Sequence, residues 1–421
     1  MLQSLFMTFF SFVRDNARWL AGGLLFTFFS SFGQTFFISL SAGSIRHEYG
    51  LTHGDFGFLY MIATLGSALT LPYLGQIVDR YSVRKVALFI VPMLALAAVS
   101  MAFSVHIVQL VVTIYLLRLF GQGMMTHTAF TAMGRWFSAQ RGRSISVVAL
   151  GQNAGEAVFP LLFVAVVSLV GWRHSWLLAA AVLVLLALPG IALLINGERT
   201  PRSSDPAPRV AAGRDWTRAE VVRDPLFYAL LLGVMAPGFI GTTIFFHQVY
   251  LVELRGWSLE LFASSFTVMA IMTITFALVS GALIDRFSGV SLLPGFLLPL
   301  GAACIVLGSF DGQWSAFVFM ALLGLSYGFS STLFGALWPE IYGTRHLGSI
   351  RALTVAVMVF ATAMGPGLTG YLIDHGVSYP LQILAMGAYC ILISLVMLYV
   401  TKQVRRRSAL FTPEVSTTAR E

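Results

Sequence analysis

Apolar residues fall along this chain in long blocks. Runs without Asp, Glu, Lys or Arg cover 19–45, 56–78, 86–117, 174–197, 225–252, 261–284, 287–310, 312–339, 352–373 and 375–401. Most exceed the ~20 residues a helix needs to cross a bilayer. Strands of a membrane barrel would alternate apolar and polar positions instead. The block 86–117 holds one helix and the start of the next, broken near Ser104–His106. Two helices carry one charge each: 107–134 contains Arg118, and 143–169 contains Glu156. The pattern predicts an all-α membrane protein with twelve transmembrane helices.

One long polar segment, 196–224, divides the chain. It begins as a Pro- and Ser-rich linker. Thr217 and Glu220 then have capping-box spacing and Pro225 follows, which predicts a short surface helix. The expected domains are a six-helix bundle over 1–195, the linker 196–224, and a second bundle with a tail over 225–421. An internal repeat supports the division. GQIVDRYS at 75–82 and GALIDRFS at 281–288 share Gly, Asp, Arg and Ser at a constant offset of 206, each just after the second helix of its half.

Composition narrows the class. Hydrophobic residues make up 57% and charged residues 10%, against ~25% charged in soluble domains, which excludes a soluble protein. The net charge of +8 follows membrane topology. With the N-terminus inside, only Arg46, Arg173 and Arg255 of the 26 basic residues fall outside, and Arg118 lies within the membrane. That asymmetry predicts a multi-pass protein of the cell membrane (the inner membrane in a bacterium) with both termini cytoplasmic. It accounts for the charge without a nucleic-acid partner. Cys304 and Cys390 lie in apolar runs and support neither a disulfide framework nor a metal cage. Residues 2–13 read as an interfacial amphipathic helix, not a signal peptide.

These features resemble the major facilitator superfamily over essentially the whole chain. The carrying motifs are the loop Gly75-Gln-Ile-Val-Asp79-Arg80-Tyr-Ser-Val-Arg84-Lys85 and Arg118-Leu-Phe-Gly121-Gln122-Gly123 in helix 4. Arg135 to Arg143, followed by Gly151, Gly155 and Pro160, is similar to the monocarboxylate and oxalate–formate branch. The acidic-Gly-aromatic motif of that branch in helix 1 and its Asp/Arg pair in helix 8 are absent here. The resemblance implies two pseudo-symmetric bundles working by alternating access. It also implies a gating role for Gly75, Asp79, Arg80 and Arg84, with Asp285 and Arg286 as their repeat mates. Asp79 is expected at the N-terminus of a neighbouring helix, where the dipole favours a carboxylate. Solvated charges that only set topology are the plainer reading of this loop.

The charges inside the membrane carry the expected chemistry, since each costs ~2.5–3.5 kcal/mol to insert. Arg118 and Glu156 lie at matching depths, roughly 16–20 Å from the outer side. The expectation is that Glu156 pairs with Arg118 in the empty carrier. Its protonation would free Arg118 to hold a carboxylate by paired hydrogen bonds. A static ion pair is the alternative. Gln34, Gln152, Asn153, Gln248, Tyr327 and Ser330 are candidate substrate contacts, and each could instead bond between helices. His247 is a candidate proton carrier, with interfacial solvation as its plainer role. His127 is expected to pack. The Gly151/Gly155 pair and Gly365-Pro366-Gly367 permit close approach or bending.

The function expected is proton-coupled uptake of a small organic anion such as a monocarboxylate, by a carrier working as a monomer. Its partners are substrate, protons and the bilayer, with no cofactor, no metal and no enzymatic motif. Two alternatives stay open: a proton-coupled antiporter exporting cationic or hydrophobic compounds, and a membrane receptor or scaffold without transport.

Overall fold

A backbone amide in hydrocarbon has no water to bond, so each apolar block satisfies its own N–H and C=O groups as a helix. The computed structural model describes residues 11–137, 141–199, 215–343 and 346–411, and no strand occurs among them. Helix α1 is bent: Ala17–Gly33 and Thr35–Tyr49 meet at 42°. Then come α2 (His53–Leu74), α3 (Val83–Ala102) and α4 (Ile107–Trp136). Helices α5 and α6 run end to end through Arg143–Leu194. They part at Gly171, whose φ of 78° is cheap only without a Cβ. Helix α7 is Pro225–Phe246, prolonged by Gln248–Arg255. The last five are α8 (Leu259–Phe287), α9 (Leu298–Ser309), α10 (Trp314–Tyr342), α11 (Leu347–Asp374) and α12 (Tyr379–Phe411).

Among the described residues, nine helices are long and apolar enough to cross a membrane, ten with the bent α1. Resolving Arg143–Leu194 into α5 and α6, and adding the shorter α9, gives twelve. The interfacial helix expected over 2–13 falls mostly outside the described residues, as does linker segment 200–214. The short helix beyond it, Arg218–Val222, begins at the Thr217–Glu220 capping box.

The repeat extends to the helix ends. Gly50 closes α1 in the left-handed conformation (φ 61°) and Thr52 caps α2. Gly256 (φ 64°) and Ser258 end the α7 extension and cap α8 at the same offset. Packing follows suit. In the first half α1 lies on α5, α2 on α4 and α3 on α6; in the second, α7 lies on α11, α8 on α10 and α9 on α12. The halves meet through α2 against α11 and α5 against α8. One face carries both ends of the linker and is called the linker face; the opposite one is the far face.

Candidate functional site

Helix α4 places a cation in the membrane, and α1 is shaped around it. Gln34 is extended (φ −82°, ψ 153°), so the helix stops at Gly33 and restarts at Thr35. The break leaves the Gly33 carbonyl without a helical donor. Arg118 Nη1 donates to that carbonyl at 3.4 Å and to the Thr35 hydroxyl at 3.1 Å. Tyr60 of α2 donates to the same hydroxyl at 2.7 Å, and its ring centroid lies 5.5 Å from the guanidinium carbon. Arg118 is 3% exposed and its Nε has no partner. None of the groups it bonds is a carboxylate. Around it α4 widens into a π-helix, Arg118–Met125, a distortion frequent at functional sites.

Glu156 stands on α5 and is 9% exposed. Gln152, one turn earlier, donates to its Oε1 at 3.1 Å. The hydroxyl of Tyr327 on α10 donates to the Pro237 carbonyl of α7 at 3.4 Å. The next residue, Ala157, accepts from Thr267 of α8 at 3.3 Å. Glu156 therefore sits where the halves meet.

The expected Arg118–Glu156 ion pair is absent from this conformation: neither residue is among the other's partners. The reason is α1, which stands between α4 and α5. It meets α4 where Gly33 faces Gly121; a Cβ on Gly33 would lie 2.6 Å from the Gly121 Cα. It meets α5 at Gly151 and Gly155; a Cβ on Gly155 would lie 2.9 Å from the Phe28 carbonyl. Small residues thus let backbones touch on both sides of α1, and equal depth does not become contact.

Gln34 is the break itself and is buried, while Asn153 is part-buried on α5. Ser330, one turn from Tyr327 on α10, is buried with its hydroxyl unpartnered. Most α1 hydroxyls with a partner serve packing. Thr27 donates to the Val148 carbonyl of α5 at 2.6 Å, and Ser41 accepts from Trp176 of α6 at 3.0 Å.

Gln248 and His247 belong to a different cluster, a seal across the far face. Gln248 Nε2 donates to the Phe36 carbonyl and the Ser39 hydroxyl of α1, each at 2.8 Å. His247 is not solvated at the interface, as its place near a helix end suggests. It is 3% exposed, lies 3.2 Å from the Pro366 carbonyl, and packs on His53, Phe246 and Tyr379. On the α2–α11 side the Gly54 N–H donates to Asp374 at 2.7 Å. Arg46 Nη1 lies 3.0 Å from His53 Nε2. A guanidinium only donates, so this imidazole nitrogen accepts. Gly365-Pro366-Gly367 forms no break in α11; its glycines pack on Thr243 and Met61.

At the linker face, Asp79 and Arg80 are exposed. The carboxylate at the start of α3 is Glu198. It accepts from the Val83 N–H at 2.7 Å, from Arg135 at 2.8 Å and from Trp136 at 2.7 Å. Arg84 donates to Asn196 at 2.7 Å. A second Arg135 nitrogen holds the Val78 carbonyl at 3.1 Å, and Gly75 packs on His127. In the second half Glu340 plays the matching part, accepting from the Gly289 N–H at 2.9 Å. Arg286 is exposed beside the Phe287 ring, and the side chain of Asp285 lies outside the described ones. The linker returns onto a second network. Arg407 of α12 grips Asp224 through both carboxylate oxygens, at 2.7 and 2.9 Å. Tyr342 and the Leu226 N–H donate to the same carboxylate. No cluster of metal-ligating residues occurs among the described residues.

Thr35, Tyr60, Glu198, Glu340 and Asp224 are the contributors that sequence reasoning does not single out. Thr35 and Tyr60 are neutral residues in apolar runs. The three carboxylates sit at helix or linker ends, where charge is ordinary.

Comparison with known proteins follows the same lines. A family model described as the Major Facilitator Superfamily matches residues 23–366 and 250–419. A probable sulfoacetate transporter of Cupriavidus necator is 25% identical over 384 residues, 83% of this chain and 86% of that protein. A probable L-galactonate transporter of Escherichia coli is 22% identical over 399 residues, 87% of this chain and 85% of that protein. Among solved structures, a bacterial homologue of the human lysosomal transporter Spinster, inward-facing and unoccupied, superposes with a TM-score of 0.72 at 16% identity. It covers 93% of this chain and 98% of that one, a likeness of fold.

Proposed function

The chain belongs to the Major Facilitator Superfamily, and from that premise we propose that it takes up a small organic anion, such as a monocarboxylate, together with protons. It is a multi-pass membrane transporter of small molecules and not an enzyme; the cargo and the coupling are the proposal.

The observation that carries it is Arg118: a buried guanidinium with a free Nε, held by neutral oxygens only. An unneutralised buried charge is expensive, and an anionic substrate would neutralise it. A carboxylate matches the planar donor fork. The names of two relatives are in keeping, since sulfoacetate and L-galactonate are both carboxylate anions. Gln34, Gln152, Asn153, Tyr327 and Ser330 would complete the binding cavity. Glu156 would carry the proton, its charge separated from Arg118 by α1. Gln248 and His247 would report occupancy to the far seal. The units 1–195 and 225–421 would rock about this site on the linker 196–224. The Gly75–Arg84 loop and its mates Asp285 and Arg286 would steady the linker face. We place that face in the cytoplasm, with the carrier a monomer in the cell membrane.

A second reading keeps Glu156 ionised as the site of a cationic solute in a proton antiporter. It is favoured by the lack of a cationic partner on that carboxylate. One experiment separates the two. Purified protein is screened by thermal shift against carboxylates, sulfonates, amines and drugs across pH, and each hit is tested for counterflow in liposomes. Stabilisation by carboxylates that depends on Arg118 supports anion uptake. Stabilisation by amines alone, undiminished in R118A, overturns it. Binding without counterflow of any hit would indicate a receptor.

A further inference from the structure

The central site is not the only place prepared for a ligand. A cavity of about 550 Å³ lies between α7, α11 and α12, within the range of small-molecule pockets. Phe239, Leu372, Leu381 and Met386 are among its walls. Leu368 and Leu381 at its rim are 46% and 57% exposed, so it opens sideways, toward hydrocarbon. Helix α11 turns Gly367 and Gly370 toward α2 and Leu368 and Leu372 toward this groove.

One polar group in the groove is unfinished. Gln382 is 7% exposed. Its Nε2 donates to the Val377 carbonyl at 3.0 Å, while its Oε1 is buried with no donor. Tyr389, deeper in the groove, already donates to the Leu232 carbonyl at 2.9 Å. The groove therefore offers a long apolar surface and one unmet acceptor. In a lipid environment such an acceptor is costly to leave empty.

The depth of that acceptor identifies the occupant. Gln382 is in the first turn of α12, ~5 Å along its axis, and Tyr389 is ~15 Å along. The groove thus runs from the far interface down to about half of the ~30 Å hydrocarbon thickness, the length of one leaflet. We propose that it holds one acyl chain of a phospholipid from the far leaflet, whose headgroup N–H or O–H donates to Gln382 Oε1. Phosphatidylethanolamine and phosphatidylglycerol carry such a donor; the trimethylammonium of phosphatidylcholine does not. This site is independent of the solute carried at Arg118.

The test uses full-length protein in nanodiscs of phosphatidylcholine, alone or mixed with phosphatidylethanolamine or phosphatidylglycerol. Retained lipid is counted by native mass spectrometry, and Tm is recorded. The expected result is one retained lipid, with about a fivefold preference for the donor-bearing headgroups, the ratio given by a hydrogen bond of ordinary net strength. Gln382→Leu should abolish the preference while leaving Tm in phosphatidylcholine unchanged. Ala385→Phe, which fills the groove from its exposed side, should abolish retention with every lipid. Equal retention of all headgroups by the unmodified protein would overturn the proposal. So would an undiminished preference in Gln382→Leu, or retention that survives Ala385→Phe.

Discussion

The Ser39 hydroxyl donates to the Phe245 carbonyl at 2.6 Å, and the two residues are 206 positions apart. That is the offset separating Gly75 from Gly281 and Gly50 from Gly256. Repeat mates that touch each other lie on the pseudo-two-fold axis, so this bond marks where the axis leaves the far face. Gln248 bonds the same Ser39 hydroxyl, so the seal is fastened where the two halves meet at that axis.

S39A combined with Q248L removes three hydrogen bonds across α1 and α7. Each is worth about 0.5–1.5 kcal/mol net, so the far-face-open population should rise about tenfold or more. The measurement is the maleimide labelling rate of Val249→Cys from the far side. An unchanged rate would mean that the seal rests on the aromatic packing of Phe56 and Phe246.

Arg118→Lys keeps the charge and loses the planar fork. Charge-assisted hydrogen bonds contribute about 1.5–3 kcal/mol, so anion affinity should fall roughly 10- to 100-fold. Titration of the thermal shift checks it. Wild-type affinity in the lysine variant would remove paired hydrogen bonding from the mechanism.

Glu156→Gln preserves shape and still accepts from Gln152. Counterflow of substrate should persist, while accumulation driven by an imposed pH gradient should vanish. Persistent pH-driven accumulation would assign the proton to another group.

Asp224 ties the linker to α12 outside the membrane. Its burial pushes the carboxyl up, but Arg407, the Leu226 N–H and Tyr342 outweigh that and hold it below the usual carboxylate range. The folded value is depressed, so the stabilisation is full above the unfolded value of about 4. It is lost as pH falls through the lower, folded value. D224N should reduce stability at neutral pH by about 1–3 kcal/mol, since it removes bonds to a charged group. It should also flatten the acid limb of Tm against pH. An acid limb identical to that of the wild type would place the titration elsewhere.

Much of this protein was legible in one dimension. Lipid offers the backbone no partners, so each span must satisfy its own backbone as an apolar helix that hydropathy exposes, even where α1 bends at Gln34. Basic residues mark one side, and the DRYS/DRFS repeat divides the chain into halves. Arg118 and Glu156 stand out because a charge in an apolar run is rare. Their separation was not legible. Depth is read along each helix, but which helix stands between two others is decided by where glycines let backbones touch. Here Gly33 and Gly121 on one side, and Gly151 and Gly155 on the other, wedge α1 between the two charges. The carboxylate at α3 follows the same rule. The sequence offered Asp79 in the adjoining loop, and the fold brought Glu198 from across the bundle. Span number and charge inventory are properties of the sequence, because they depend on each segment's own exchange with lipid. The pairing of those charges belongs to the tertiary structure, because it depends on contacts among three helices at once.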